Sequence, residues 1–317
     1  MHFRNLLELQ DYFNNELICA EYLERIRWGN KPLCPRCGSE HHYRTKTRFK
    51  DPQLADYKDF YCKACMKKYT VLTGTVYESS KISLRLWFAA LYLLSAHKKG
   101  ISSMQLSRDL GVTQKTAWFM LHRLRKMLEE KNPEILENIV SLDETFIGGK
   151  SKNKHKNKRL KYRKLDRETR TYKDKTPVMG FMQYGGKVRC HVLKDVKMQT
   201  LQHYIFQNVR FESTLYTDDF SGYGKDLEIW YKREIVYHSQ GQYVNGYATT
   251  NNIEGFWSHL KRQIYGIHHN VSPKHLQRYC DEAAFKYNTR GLSDPERFDE
   301  VLKNCNDLKV TYRQLTA

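Results

Sequence analysis

The sequence has no run of about eighteen apolar residues, the length needed to cross a bilayer. It also has no basic amphipathic terminal helix of the kind that lies in a membrane surface. Its first residues, "MHFRNLLELQDYFNNELICAEYLERIRW", lack the apolar core and small-residue cleavage site of a secretory signal. No internal repeat is apparent. Acid is the scarce sign of charge: 35 Asp and Glu stand against 54 Lys and Arg, a formal net charge of +19 and a pI near 9.5. A solvated surface needs no such imbalance, so a polyanionic partner is expected, with nucleic acid ahead of an anionic membrane. Disorder is excluded by 40% hydrophobic and 13% aromatic residues. At 317 residues, two or three domains with at least one sizeable core are expected. The reading is of an intracellular protein, cytoplasmic and nucleoid-associated, or nuclear in a eukaryotic host. In a reducing compartment the eight cysteines need a purpose other than disulfides.

Where acid does occur, it is segregated. "SLDETFIGGKSKNKHKNKRLKYRK", residues 141–164, sets two carboxylates and two glycines directly against a dense basic run. A surface ion-pair network would interleave the signs. Separation suits a divided ligand, with metal ions on one side and polyanion on the other.

Apolar spacing over residues 5–27 predicts a short helix or helix pair, followed by cysteine-bearing short strands. "SLRLWFAALYLLSAH" is strongly helical, and "SSMQLSRDLGVTQKTAWFMLHRLRKMLEE" continues as two helices around Gly111-Val112. Asn132-Pro133 breaks the pattern. The expected domains are therefore 1–80, an N-terminal helix plus zinc ribbon; 81–132, a helix-turn-helix; and 133–317, a catalytic domain. Within the last, "NIVSLDETFIGG" reads as a strand and "PVMGFMQYGGKVRCHVLKD" as a hairpin turning at Gly185-Gly186. "MQTLQHYIFQNV" reads as a helix, "STLYTDD" and "EIVYHS" as strands, and "TNNIEGFWSHLKRQIYG" and "SPKHLQRYCDEAAFKYN" as helices. The order β-β-β-α-β-α-β-α gives an α/β fold whose mixed sheet, flanked by helices, matches an RNase H-like arrangement. Residues 150–175, half lysine and arginine, read as a basic insertion between the first two strands.

Cys34, Cys37, Cys62 and Cys65 form two C-x-x-C knuckles. Two intervening residues let both thiolates of a knuckle reach one tetrahedral ion, and the second knuckle completes a closed structural zinc site. Gly38 suits the tight turn after the first knuckle. His41 and His42 are available as alternative ligands, and Cys19, Cys190, Cys280 and Cys305 read as packed thiols. So small a segment would gain its folding free energy from the metal.

In the helix pair, Leu106 and Leu110 are expected inside, Gly111 at the turn, Val112 behind it and Thr113 as the cap. Ala117, Met120, Leu121 and Leu124 would be buried on the second helix. Gln114, Lys115, Thr116 and Arg123 would be exposed and face DNA, because the first residues of a recognition helix meet base edges.

Three acids stand out by context. Asp143 lies within a predicted central strand, where a carboxylate is costly unless something binds it. Asp218 ends a strand at the edge where α/β sheets place ligands. Glu254 lies beside the apolar stripe Ile253, Phe256, Trp257, Leu260 and Ile264, and Lys261 follows it two helical turns on, roughly 10 Å away. Such a triad can bind two divalent ions about 4 Å apart and serve phosphodiester chemistry, and hard oxygen ligands favour Mg2+ or Mn2+. Singly, each acid also reads blandly: Asp218 or Asp219 as a turn or cap residue, Glu254 as a surface partner of Ser258 or Lys261. Glu144 and Asp219 remain substitute ligands.

"LDETFIGGK", "YTDDFSGY", "TTNNIEGFWSHLKRQIYG" and "SPKHLQRYCDEAAFKYNTR", behind "CPRCG", resemble the DDE transposases of bacterial insertion sequences, in the group related to eukaryotic Merlin elements. The resemblance implies an RNase H-like core with Asp143, Asp218 and Glu254 as the metal-binding catalytic triad and Lys261 as a contact to terminal DNA. Some members carry asparagine in place of the last acid; this chain keeps the glutamate. The expected function is binding of terminal inverted repeats through the ribbon and helix-turn-helix, then metal-dependent strand cleavage and strand transfer. Metal-activated water would attack first, and the freed 3′-hydroxyl would then attack target DNA. Lys152, Lys154, Lys156, Lys158 and Arg159 of the insertion, with Lys261 and Arg262, would lie along phosphates of double-stranded DNA. Histidines 238, 259, 268, 269 and 275 read as structural or phosphate contacts, not as a general base. A homodimer is expected, since joining two element ends needs two active sites. The alternatives are a DNA-binding regulator without catalysis and an RNase H-like nuclease that cuts without joining.

Overall fold

The computed structural model describes residues 3–46, 54, 57–149, 153, 155–157, 159, 175–237, 242, 244–245, 248–306, 308 and 310–316. In chain order these give α1 (Leu6–Tyr12), α2 (Glu16–Trp28), β1 (His42–Thr45), β2 (Asp59–Cys62), β3 (Lys68–Tyr69), α3 (Leu84–Ala96), α4 (Ser103–Leu110) and α5 (Gln114–Met127). Then follow β4 (Ile139–Ile147), β5 (Thr176–Gln183), β6 (Val188–Val192), α6 (Met198–Asn208), β7 (Thr214–Asp218) and β8 (Lys232–Val236). The pair β9 (Val244–Asn245) and β10 (Ala248–Thr249) precedes α7 (Asn251–Gln263), α8 (Pro273–Asn288), α9 (Asp294–Lys303) and α10 (Tyr312–Thr316). Contacts divide the chain into one unit of Met1–Glu129 with Arg290–Ala317 and a second of Glu130–Thr289.

In the first unit, side chains close the helix ends. Asn5 and Asn15 accept from the amides of Glu8 and Ile18 at the starts of α1 and α2. The buried Glu16 reaches across to α3 and accepts from the Leu84 and Arg85 amides at 2.7 and 2.9 Å. These donors have no partner within their own helix, so a distant carboxylate fixes how α2 meets α3. Phe298 of α9 enters the same core, 5.5 Å from both Phe3 and Phe88 by ring centroid. The sequence reading placed this last stretch with the catalytic residues, whereas its apolar stripe packs on the N-terminal helices. The ribbon strands β1, β2 and β3 pair antiparallel around Phe60, stacked on Tyr69 at 5.0 Å with Trp28 on its edge.

The second unit is built on a five-stranded mixed sheet of order β6-β5-β4-β7-β8. The hairpin β4, β5, β6 is antiparallel; β7 runs parallel to β4, and β8 parallel to β7. Strand alternation sorts side chains to two faces. Val140, Leu142, Met179 and Phe181 pack with Leu201 and Ile205 of α6, while Val178, Met182 and Cys190 pack with α7 and α8. The outer edge of β6 is covered by side chains of α8. Asn288 bonds both the amide and the carbonyl of Val188, and Gln277 bonds the Val192 amide and the Cys190 carbonyl. Such cover prevents pairing with another strand.

One element differs from expectation. Between β7 and β8 the chain forms two 3-10 turns, Ser221–Tyr223 and Lys225–Ile229, where the reading expected an α-helix. Gly224, at φ +75°, separates them, a conformation that would break a continuous helix. Among the described residues no helix is long and apolar enough to cross a membrane.

Candidate catalytic and metal sites

Asp143 sits in the middle of β4 on the face covered by α7. Both of its carboxylate oxygens are held: the Glu144 amide donates to Oδ1 at 2.8 Å and the Trp257 indole N–H to Oδ2 at 2.9 Å. Burial, then the negative charges of Asp218 and Glu254, push the Asp143 carboxyl up to about 7, against the opposing pull of the indole bond. Mutual repulsion of this kind requires the three acids to share a neighbourhood. Asp218, half-buried at the C-terminal end of β7, accepts from the Phe220 amide at 3.1 Å. Glu254, in the first turn of α7, is exposed and accepts from the Thr250 hydroxyl at 3.1 Å. The apolar stripe of α7 is buried as its spacing predicts, and that burial orients Glu254 beside the sheet.

The acids do not make a tight single-ion cage. Among the described residues, only Cys34, Cys37, Cys62 and Cys65 form a group of potential ligands with all donor atoms within 4.8 Å of one another. A two-cation site is less demanding. Two ions about 4 Å apart would not need all three acids to converge on one point. An all-carboxylate donor set, central and destabilised by its own negative charge, fits hard divalent cations.

Glu144 points to the opposite face, toward Tyr223. Burial pushes its carboxyl up to about 8, opposed by the Tyr223 hydroxyl and with Asp143 adding to the rise. Among the described residues, its Oε1 and the Tyr223 hydroxyl, both buried, find no partner at ordinary hydrogen-bond geometry. Strand alternation therefore separates Glu144 from the face that carries Asp143. Asp219 is exposed, one residue past β7.

Lys261 and Arg262 lie on α7 beyond Glu254; Lys261 is half-buried, and Arg262 is exposed with Nε donating to the Ser258 carbonyl. Of the insertion residues, Lys156 and Arg159 are exposed, and Lys152, Lys154 and Lys158 lie outside the described residues. His238 also lies outside them, His259 and His269 are exposed, His268 packs its ring on Tyr279, and His275 is buried.

The four cysteines converge, with Sγ pairs Cys34–Cys65 at 3.7 Å and Cys37–Cys62 at 3.6 Å. Gly38, at φ +71°, closes the first knuckle. The Cys65 amide faces Cys62 Sγ and pulls that thiol down to about 6, toward the thiolate that zinc requires. His42 turns instead to the Glu40 carbonyl. Cys19, Cys190, Cys280 and Cys305 are buried.

Helices α4 and α5 meet at Gly111, left-handed at φ +65°, and Thr113 caps α5 through the Thr116 amide. Gln114 and Lys115 are exposed and Thr116 half-buried. Arg123 corrects the reading. It is 5% exposed, donates to the Glu78 carbonyl at 2.9 Å and lies over the Trp87 and Phe119 rings. Burial holds its guanidinium below the usual arginine range. Three residues after Met120, it falls on the buried face of the helix, so it braces the unit and is not presented to solvent.

Two contributors escaped the sequence reading. Trp257 was assigned to the core stripe, yet its N–H is a direct partner of Asp143. Gly180 faces Asp143 across the β4–β5 register, and glycine inside a strand was the available signal of a close approach.

Comparison with known proteins yields two family matches. An ISXO2-like transposase domain matches residues 135–288, and a transposase zinc-ribbon domain matches residues 14–68. A protein in the transposable element ISH50 of Halobacterium salinarum is 30% identical over 271 residues, covering 84% of this chain and 89% of that protein. No solved structure matches.

Proposed function

The chain belongs to the zinc-ribbon-bearing DDE transposases, and on that premise we propose that it cleaves and joins DNA at the ends of its element with Asp143, Asp218 and Glu254 as the catalytic acids. The observation that carries this reading is the half-buried Asp143 carboxylate, fixed on both oxygens and repelled by the other two acids. The unit Glu130–Thr289 is then an RNase H-like core, supported by an antiparallel hairpin extended by two parallel strands.

Divalent cations such as Mg2+ or Mn2+, held by the three acids, would supply polarisation of the attacking and leaving oxygens. The chain's own residues do the rest. Asp143 is held still by the indole and the Glu144 amide, so its charge is aimed before substrate arrives. Lys261 and Arg262, on the same helix as Glu254, neutralise phosphates beside the scissile bond. In the first step a water oxygen bonds to phosphorus and the DNA 3′-oxygen leaves as a hydroxyl. In the second that hydroxyl attacks a target phosphodiester, displacing another 3′-oxygen, without a covalent enzyme intermediate. Gln114, Lys115 and Thr116 open α5, capped by Thr113, and as the start of a recognition helix they meet base edges of the terminal repeats. The cysteine quartet binds structural zinc, and two copies of the chain act together to join two ends.

The test is incubation of duplexes carrying the element's terminal repeats with protein and Mg2+ or Mn2+. Nicking followed by joining of pre-cleaved ends to target DNA is expected, with Asp143→Ala losing cleavage while still binding the ends. Nicking without joining would leave a nuclease, and full cleavage by Asp143→Ala would remove the catalytic assignment.

A further inference from the structure

The indole of Trp257 occupies a place that exists only because residue 180 has no side chain. Asp143 and Gly180 are direct partners in the antiparallel β4–β5 register. A Cβ at Gly180 would fall 2.5 Å from Cζ2 and 2.6 Å from Cη2 of Trp257, well inside the distance real atoms tolerate. The bare backbone lets the ring lie flush on β5, 3% exposed, with its edge directed at the neighbouring strand. A buried indole N–H requires an acceptor, and here it takes Asp143 Oδ2 at 2.9 Å.

We propose that Trp257, seated on Gly180, is a positioning residue whose indole N–H fixes the orientation in which the Asp143 carboxylate would meet divalent cations. This rests on the reading of Asp143 as a metal ligand. Each carboxylate oxygen offers two acceptor positions. The Glu144 amide takes one on Oδ1 and the Trp257 indole takes one on Oδ2. One position is left on each oxygen, so the two donors hold the carboxylate in one orientation while both oxygens keep the capacity to take a cation. Trp257 also follows Glu254 by three residues, on the same side of α7. A single rigid helix therefore delivers an outer acid and the group that orients the central one. Movement of α7 would disturb both together.

The experiment uses the full chain and Mn2+ as probe, reading binding by calorimetry and cleavage as a function of Mn2+ concentration. Trp257→Phe keeps a ring and removes the donor. A hydrogen bond to a charged group typically accounts for about tenfold or more in an equilibrium, so Mn2+ binding should weaken by roughly that factor, with cleavage restored at saturating Mn2+ and repeat-end binding unchanged. Gly180→Ala should weaken Mn2+ binding in the same way, because the methyl displaces the indole. Phe lacks the benzo edge that the methyl would strike hardest, leaving the flexible tip of Ile253 at 2.9 Å to give way, so in the Trp257→Phe background Gly180→Ala should cost much less than it does alone. Should Trp257→Phe fail to fold, Gly180→Ala carries the test. Normal Mn2+ binding by Trp257→Phe, or full additivity of the two substitutions, overturns the positioning role. Asp143→Ala is the control for the underlying reading: if it binds Mn2+ like the unmodified chain, the metal site itself is misassigned, whereas its loss beside an unaffected Trp257→Phe removes only the positioning role.

Discussion

Replacing Asp143 with asparagine should stabilise the protein at alkaline pH when no divalent cation is supplied to the acids. The carboxyl stands near 7 in the folded chain instead of its ordinary 3.8, chiefly through burial and then through repulsion by Asp218 and Glu254. A folded-state pKa above the unfolded one means that ionisation opposes folding. The penalty is absent below about pH 4, grows as pH rises toward 7, and is constant beyond. At its plateau a displacement of this size corresponds to about 4 kcal/mol. Asparagine keeps the shape and an acceptor for the Trp257 N–H and cannot ionise, while giving up the bond from the Glu144 amide, a loss that is the same at every pH. Melting of the two zinc-loaded proteins without added Mg2+ or Mn2+ should therefore differ by on the order of 10 °C at pH 8.5, and by less than half as much at pH 5. Mg2+ should then raise the melting temperature of the unmodified protein and leave Asp143→Asn unmoved, since cation binding repays only a charge that is present. A variant no more stable than the parent at pH 8.5, or a difference independent of pH, would refute the argument that Asp143 is an electrostatically strained ligand.

Three further outcomes are expected. Arg123→Ala should lower the melting temperature through loss of a buried hydrogen bond and ring contacts, by about 2 kcal/mol, with the salt dependence of DNA binding unchanged; a flatter salt slope would return this side chain to the DNA surface. Cys62→Ser, or stripping of metal by a chelator, should unfold the ribbon and abolish binding of terminal repeats, read by circular dichroism and gel shift. Deleting residues 150–175 should flatten the dependence of DNA affinity on salt, and an identical slope would remove the insertion from the phosphate contacts.

The legible parts of this chain were those written in local spacing. Two C-x-x-C knuckles define the sulfur cluster because two residues between thiols set its geometry. The stripe from Ile253 to Ile264 places α7 and its glutamate, since helical period alone determines which face is buried. Contacts remote in sequence were not legible. Trp257 meets Asp143 across 114 positions, and an indole on an apolar stripe gives no sign of which acceptor its N–H will find. Arg123 differs from expectation because helical position outweighs residue type: three residues after the buried Met120 and four before the buried Met127, its side chain falls on the packed face. The crossover after Asp218 held glycines that argued against a helix, but the regular alternation of the preceding elements suggested one.

The β4–β5 pairing has a consequence for how such a chain can diversify. Ile147 is the direct partner of Thr176, so the polypeptide departs from the sheet and re-enters it at adjacent rungs. Just past the departure point the Tyr265 hydroxyl clasps both the amide and the carbonyl of Gly148, at 3.2 and 3.1 Å. Whatever spans that gap begins and ends at a fixed doorway, and lengthening it adds only a slowly growing closure entropy. The doorway can accept passengers of different size or charge while the hairpin beneath keeps its register, which makes it the natural place to graft a new targeting module onto the cutting machinery.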